Sequence, residues 1–123
     1  MRALIIEDSR AMRSILEGIL ADVGFELTLA ADAEEALVVF ENDQDFELAL
    51  VDWNLPGMSG LDLVFAIRER PGLGDIKLMM VTTETQLGRV VEALDAGADE
   101  YIMKPFDREM LLEKLALLGI EVD

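Results

Sequence analysis

The chain of 123 residues contains neither cysteine nor histidine. Without cysteine there is no disulfide framework and no thiolate metal site. Without histidine, imidazole acid–base catalysis and the usual zinc and copper sites are excluded as well. Basic residues are scarce: 10 Lys and Arg stand against 26 Asp and Glu, a formal net charge of −16. Such a field repels nucleic acid, so direct binding to it is not expected. Long apolar runs are missing too. "ALII", "LALV" and "LMMV" are strand-length, far short of the ~20 residues that cross a bilayer. The N-terminus reaches acidic residues directly after "ALII", unlike a secretory signal. No membrane partner is expected, and the chain reads as cytoplasmic.

What remains is the composition of a folded domain: 52% hydrophobic and 29% charged residues exclude a disordered chain. Strand-like runs at 2–7, 26–31, 47–51, 77–81 and 100–103 each precede apolar residues at helical spacing. The first stripe runs through Met12, Ile15, Leu16, Ile19, Leu20 and Val23; the fourth through Leu87, Val90, Val91 and Leu94; the fifth through Met110, Leu111, Leu115 and Leu118. Ser9, Asp32, Ser59 and Asp107 stand where helices should start, and Gly24, Gly97 and Gly119 where they should end. No linker or repeat interrupts the order, so residues 1–123 are expected to form one domain. Strict alternation with near-continuous apolar strands predicts an α/β fold, an open doubly wound sheet of five parallel strands with helices on both faces and right-handed crossovers.

In such sheets ligands bind beyond the carboxyl ends of the strands. The first strand exits into Glu7-Asp8, the third into Asp52, the fourth into Thr82-Thr83 and the fifth into Lys104-Pro105. Strand ends are often polar, and any one of these residues could be solvated surface or a cap. Asp52 is different, because Trp-Asn-Leu-Pro follows before a helix can begin. Carboxylates gathered at one edge repel: at ~4 Å and an effective dielectric of ~20 each pair costs about 4 kcal/mol. A divalent cation removes that cost, and oxygen ligands favour magnesium, manganese or calcium. Magnesium is typically held by one or two carboxylates plus a phosphate. Asp52 then becomes a candidate nucleophile, since carboxylates form aspartyl-phosphate intermediates. Lys104 could neutralise phosphoryl oxygens and Thr82 could donate to one.

The segments "EDS" (7–9), "DWNLPGMSG" (52–60), "VTTE" (81–84) and "YIMKPF" (101–106) closely resemble the receiver domains of two-component response regulators, above all the stand-alone chemotaxis members. The resemblance runs essentially end to end. It implies a CheY-like fold with strand order 2-1-3-4-5 and makes Asp52 the phosphoacceptor, charged by a histidine kinase, a phosphotransfer protein or a small donor. Glu7 and Asp8 correspond to the acid pair of a magnesium site that also admits manganese, with the Asn54 backbone carbonyl as a further ligand. Asp8 is the direct ligand of the two; Glu7 stands where chemotaxis members carry aspartate, and its longer reach suits a metal-bound water. Thr82 resembles the switch hydroxyl, Tyr101 the switch aromatic, and Lys104 the lysine that contacts the phosphoryl group, joined to Pro105 by a cis peptide bond. Asn54 and Glu84 fall where hydrolysis is tuned. A downstream protein would read the face of helix 86–96, strand 100–103 and helix 108–118. The resemblance implies a signalling switch that catalyses only its own phosphorylation and dephosphorylation.

Two other classes share parts of this inventory. Haloacid-dehalogenase-type phosphohydrolases also use a nucleophilic aspartate and magnesium. They carry it on the first strand, with a second aspartate two residues later where this chain has Asn54. A flavodoxin-like binding module needs a phosphate-cradling first loop, and "EDSRAMRS" puts two acids there. Within the receiver reading, the chain could be a phosphorelay intermediate or a receiver excised from a longer regulator. Met1 favours a stand-alone regulator acting by protein–protein contact.

Overall fold

The fold was analysed in a computed structural model that describes residues 1–121. Residues 122 and 123, which the sequence places in the same unit, lie outside the described residues. The strands are β1 (Arg2–Ile6), β2 (Glu26–Ala30), β3 (Leu48–Asp52), β4 (Lys77–Thr82) and β5 (Glu100–Met103). Between and after them come α1 (Arg10–Asp22), α2 (Ala33–Asn42), α3 (Gly60–Glu69), α4 (Val90–Ala96) and α5 (Arg108–Leu117). All pairings are parallel, in the order β2-β1-β3-β4-β5. The architecture is the expected open α/β sheet, with β3 in the middle, β1 and β4 beside it, and β2 and β5 at the edges.

The two-residue period of the strands divides the core in two. Leu4, Ile6, Ala49, Val51, Leu78 and Met80 face one side and pack against α2, α3 and α4. Ala3, Ile5, Leu48, Leu50, Met79 and Val81 face the other and pack against α1 and α5. Because both faces are covered, β3 is buried over its whole length, Asp52 included. Ser9, Asp32, Ser59 and Asp107 each accept a hydrogen bond from the backbone amide three residues on, as N-caps do.

The helices differ from the sequence reading in two ways. The element expected over 86–96 is a 3-10 turn (Glu84–Arg89) followed by the short α4. Gly88 lowers helix propensity there, and Gln86 folds back to accept from the Thr83 amide at 3.1 Å, which favours the tighter winding. The apolar stripes are also wider than the buried surface. Ile15, Leu87, Val91, Leu94 and Met110 are exposed, while Leu16, Leu20, Val90, Leu111 and Leu115 carry the core contacts. At the far end of α4, Arg68 from α3 donates to the carbonyls of Gly97 (2.9 Å) and Leu73 (3.1 Å) and to Asp99 (2.8 Å). That fixes the approach to β5.

Gly60 brings α3 against the end of β3. Its amide donates to the Trp53 carbonyl at 3.0 Å, and a Cβ there would lie inside contact distance of the Asp52 carbonyl oxygen and 3.0 Å from the Trp53 Cα. In an ordinary helix Gly→Ala is stabilising by up to ~1 kcal/mol. Here Gly60→Ala is expected to destabilise by about 1–3 kcal/mol, as overpacking does. Urea unfolding checks this, and a raised midpoint would contradict the packing described.

Candidate functional site

Four strand ends build the site. Beyond β1, the Glu7 amide donates to the Ala30 carbonyl at 3.0 Å, which holds the backbone in line with β2 while the side chain turns into the sheet edge. Glu7 is 1% exposed, and its carboxylate accepts from the Ser9 amide at 3.2 Å. Ser9 in turn caps α1, so the helix start and the Glu7 orientation are set together. Asp8 is exposed at the same corner. Asp52, 5% exposed, is the last residue of β3 and accepts from the Asn54 amide at 3.2 Å. The Trp53 amide donates to the Val81 carbonyl at 3.0 Å and keeps this turn on β4.

Lys104 closes the site from β5. Its amide donates to the Thr82 carbonyl at 2.7 Å, and the Lys104–Pro105 peptide bond is cis, as the resemblance implied. The Lys104 Nζ lies 3.4 Å from Glu7 Oε2 and 3.7 Å from Asp52 Oδ1. Glu7, Asp8 and Asp52 each offer an oxygen within 4.8 Å of the others. The structure therefore gathers Glu7, Asp8, Asp52 and Lys104.

The remaining predicted residues lie outside that group. Thr82 is buried beside it, with its hydroxyl donating along the chain to the Thr83 carbonyl at 3.3 Å. Asn54 is exposed on the loop after Asp52, and Glu84 is exposed at the start of the 3-10 turn. Tyr101 is not in the cluster. It is half-buried on the edge strand, with the Lys114 ammonium 4.1 Å above its ring centre. Glu100 holds that ammonium at 3.0 Å and also accepts from the Tyr101 amide at 3.0 Å.

Three contributors escaped the sequence reading. Gly60 was signalled by a glycine where the first helical turn prefers alanine. The Glu100–Lys114 pair joins elements with no fixed sequence spacing and left no signal. Nor did Arg89, whose guanidinium lies 5.3 Å over the Trp53 ring and links the 3-10 turn to the residue after Asp52.

Three carboxylates against one ammonium leave a formal charge of −2 at this corner when all are ionised. Burial, and then the neighbouring Asp52 charge, push the Glu7 carboxyl up to about 7, while Lys104 and the Ser9 amide oppose the shift. The donor set is all hard oxygen, which fits a divalent cation of the magnesium class and balances that charge. A shallow concavity of about 490 Å³ lined by Met1, Phe46, Lys77 and Ile120 lies at the opposite ends of the strands, away from this chemistry.

A carboxyl whose pKa is higher folded than unfolded stabilises below its unfolded value, and that contribution is lost as pH rises through the folded value. Without metal, the stability of the wild type relative to Glu7→Gln should fall between pH 4.5 and about 7. Added magnesium should reverse the fall at the upper end. Thermal unfolding of both proteins across that range, with and without metal, checks the sign; a difference that rises with pH in metal-free buffer would contradict it.

Comparison with known proteins agrees with this geometry. The response regulator receiver domain family matches residues 3–116. The chemotaxis protein CheY1 of Helicobacter pylori is 38% identical over 119 residues, covering 96% of this chain and 96% of that protein. The solved structure of chemotaxis response regulator CheY4 of Vibrio cholerae is 33% identical, with a TM-score of 0.86 over 94% of this chain and 95% of that one. The receiver domain of sensor histidine kinase PA1611 from Pseudomonas aeruginosa is 26% identical, with a TM-score of 0.84 over 96% and 97% of the two chains. It was solved with a magnesium ion coordinated in its active-site cleft. In sequence, sheet order and the side chains at its strand ends, the chain belongs to the response regulator receiver domain family.

Proposed function

We propose that the chain, read as a unit over residues 1–123, is a cytoplasmic phosphorylation-activated switch whose phosphoacceptor is Asp52. The supporting observation is the meeting of buried Glu7 and Asp52 with Asp8 and Lys104 at one sheet edge. An Asp52 carboxylate oxygen attacks the phosphorus of a phosphohistidine on a histidine kinase or phosphotransfer protein. The O–P bond forms as the P–N bond breaks, and the donor imidazole keeps the electron pair and takes up a proton. Glu7, Asp8, Asp52 and the Asn54 carbonyl would hold magnesium, with Asp8 a direct ligand and Glu7 acting through a metal-bound water. Bound there, the ion withdraws charge from the phosphoryl oxygens. Lys104, already 3.7 Å from Asp52, gives up its contact with Glu7 and neutralises a phosphoryl oxygen.

The new group carries negative charge and strong acceptor oxygens. The Thr82 hydroxyl leaves the Thr83 carbonyl and donates to one of them. That movement vacates the space into which Tyr101 turns, and the edge formed by α4, β5 and α5 changes shape for a downstream protein. Return to the resting state is hydrolytic: water attacks phosphorus, the Asp52–phosphorus bond breaks, and inorganic phosphate leaves. Asn54 and Glu84 flank the path of that water and set its rate.

Wild-type protein treated with acetyl phosphate and magnesium should gain one phosphoryl mass. Asp52→Asn should gain none, and chelation should abolish the gain. Labelling of Asp52→Asn at the wild-type level would overturn the assignment of Asp52. With Asn54 and Glu84 in place the acyl phosphate should decay within seconds to minutes, followed by loss of the mass increment after donor removal; a lifetime of hours would contradict their role.

A further inference from the structure

The edge formed by α4, β5 and α5 carries more apolar surface than the sheet needs. Val90 and Ala93 turn inward from α4. Leu87, Val91 and Leu94, at intervals of four and three residues, are 39%, 65% and 41% exposed. On α5, Leu111 and Leu115 are buried while Met110 is exposed. Apolar residues exposed in a row along the 3-10 turn and α4, with Arg89, Glu92 and Asp95 between and beside them in sequence, mark an interaction surface rather than scattered surface hydrophobes.

The charge around this stripe has one sign to offer. Every cation between residues 84 and 118 already has a carboxylate: Arg89 pairs with Glu92 at 3.0 Å, Lys114 with Glu100 at 3.0 Å and Arg108 with Asp22 at 2.9 Å. Lys104 is turned into the acidic cluster. By contrast, Glu84, Asp95, Glu109 and Glu113 are exposed. None of them enters an ion pair among the described residues. An acidic partner segment would find no free cation and several free carboxylates. A second copy of the chain would bring the same acids and a further formal charge of −16.

We propose that this edge docks a cationic amphipathic segment of another protein, its apolar side covering Leu87, Val91 and Leu94 and its Lys or Arg flanks meeting Glu84, Asp95, Glu109 and Glu113. The inference rests on the switch reading for when the surface is used, because Tyr101 lies on the same edge. The partner's chemistry follows from the apolar stripe and the paired cations alone. Hydrophobic contact supplies affinity, and the carboxylates supply orientation and choice of partner.

Two synthetic helical peptides with one shared apolar side, carrying either Lys or Glu on the polar side, test it against the beryllofluoride-treated protein at fixed magnesium. The Lys peptide should bind about tenfold or more tightly than the Glu peptide, with an advantage that shrinks in salt. Val91→Lys and Leu94→Lys should remove most of that binding. Val38→Lys, a like change at an exposed apolar site on α2, should not. That control separates docking at the edge from general attraction to an acidic protein. Three results overturn the inference: tighter binding of the Glu peptide, equal losses in Val91→Lys and Val38→Lys, or self-association that Val91→Lys abolishes, which would make the occupant a second copy. Acetyl phosphate labelling of aliquots of the same protein that have not met beryllofluoride separates the two readings. Normal labelling with no peptide preference removes this inference alone, and absent labelling removes the switch reading.

Discussion

Repulsion among Glu7, Asp8 and Asp52, set against a single ammonium from Lys104, is the constraint on which the rest of this molecule depends. Carboxylates next to a dry core are expensive unless paired, protonated or bound to metal. The protein supplies the first two itself. Lys104 reaches two of the acids, the Ser9 and Asn54 amides each donate to one, and Glu7 is pushed up to about 7 so that it can keep a proton when no cation is present. The sheet makes the crowding possible: helices on both faces bury β3 to its last residue, and parallel pairing aims every strand exit at the same edge.

The same arrangement links the site to distant surface. Thr82 lies beside the acids and shares its backbone with Lys104 through the 2.7 Å hydrogen bond. Arg89 connects the 3-10 turn to Trp53, and Arg68 holds the other end of α4 at Gly97. These contacts join the residue after Asp52 to the 3-10 turn and the end of β4 to Lys104, while Lys114 rests on Tyr101 in β5. The short α4 and its 3-10 lead-in are the least regular part of this frame.

Much of this was legible in the sequence because its cause was local or periodic. Strand-length apolar runs, caps at Ser9, Asp32, Ser59 and Asp107, and the polar residues at the strand exits each declare themselves within a few positions. Asp52 stood out because nothing after it could use a cap. What stayed hidden was set by tertiary packing. The sequence could not say that Leu87, Val91 and Leu94 face solvent while Val90 and Ala93 face the core, since helical spacing alone offers a wider stripe than the sheet covers. Gly88 hinted at the broken start of α4, but the Thr83–Gln86 contacts decided it. The pairing of Glu100 with Lys114 and the placing of Gly60 against Asp52 required the folded backbone.

We propose that this electrostatic frame serves to place one nucleophilic oxygen, that of Asp52. Borohydride reduction of the acetyl-phosphate-treated protein converts an aspartyl phosphate to homoserine, which tandem mass spectrometry locates by residue. Homoserine is expected at position 52 alone, with none after chelation of magnesium. Homoserine at position 8, the longer five-carbon alcohol of a reduced glutamyl phosphate at position 7, or no reduced residue at any of the three would contradict it.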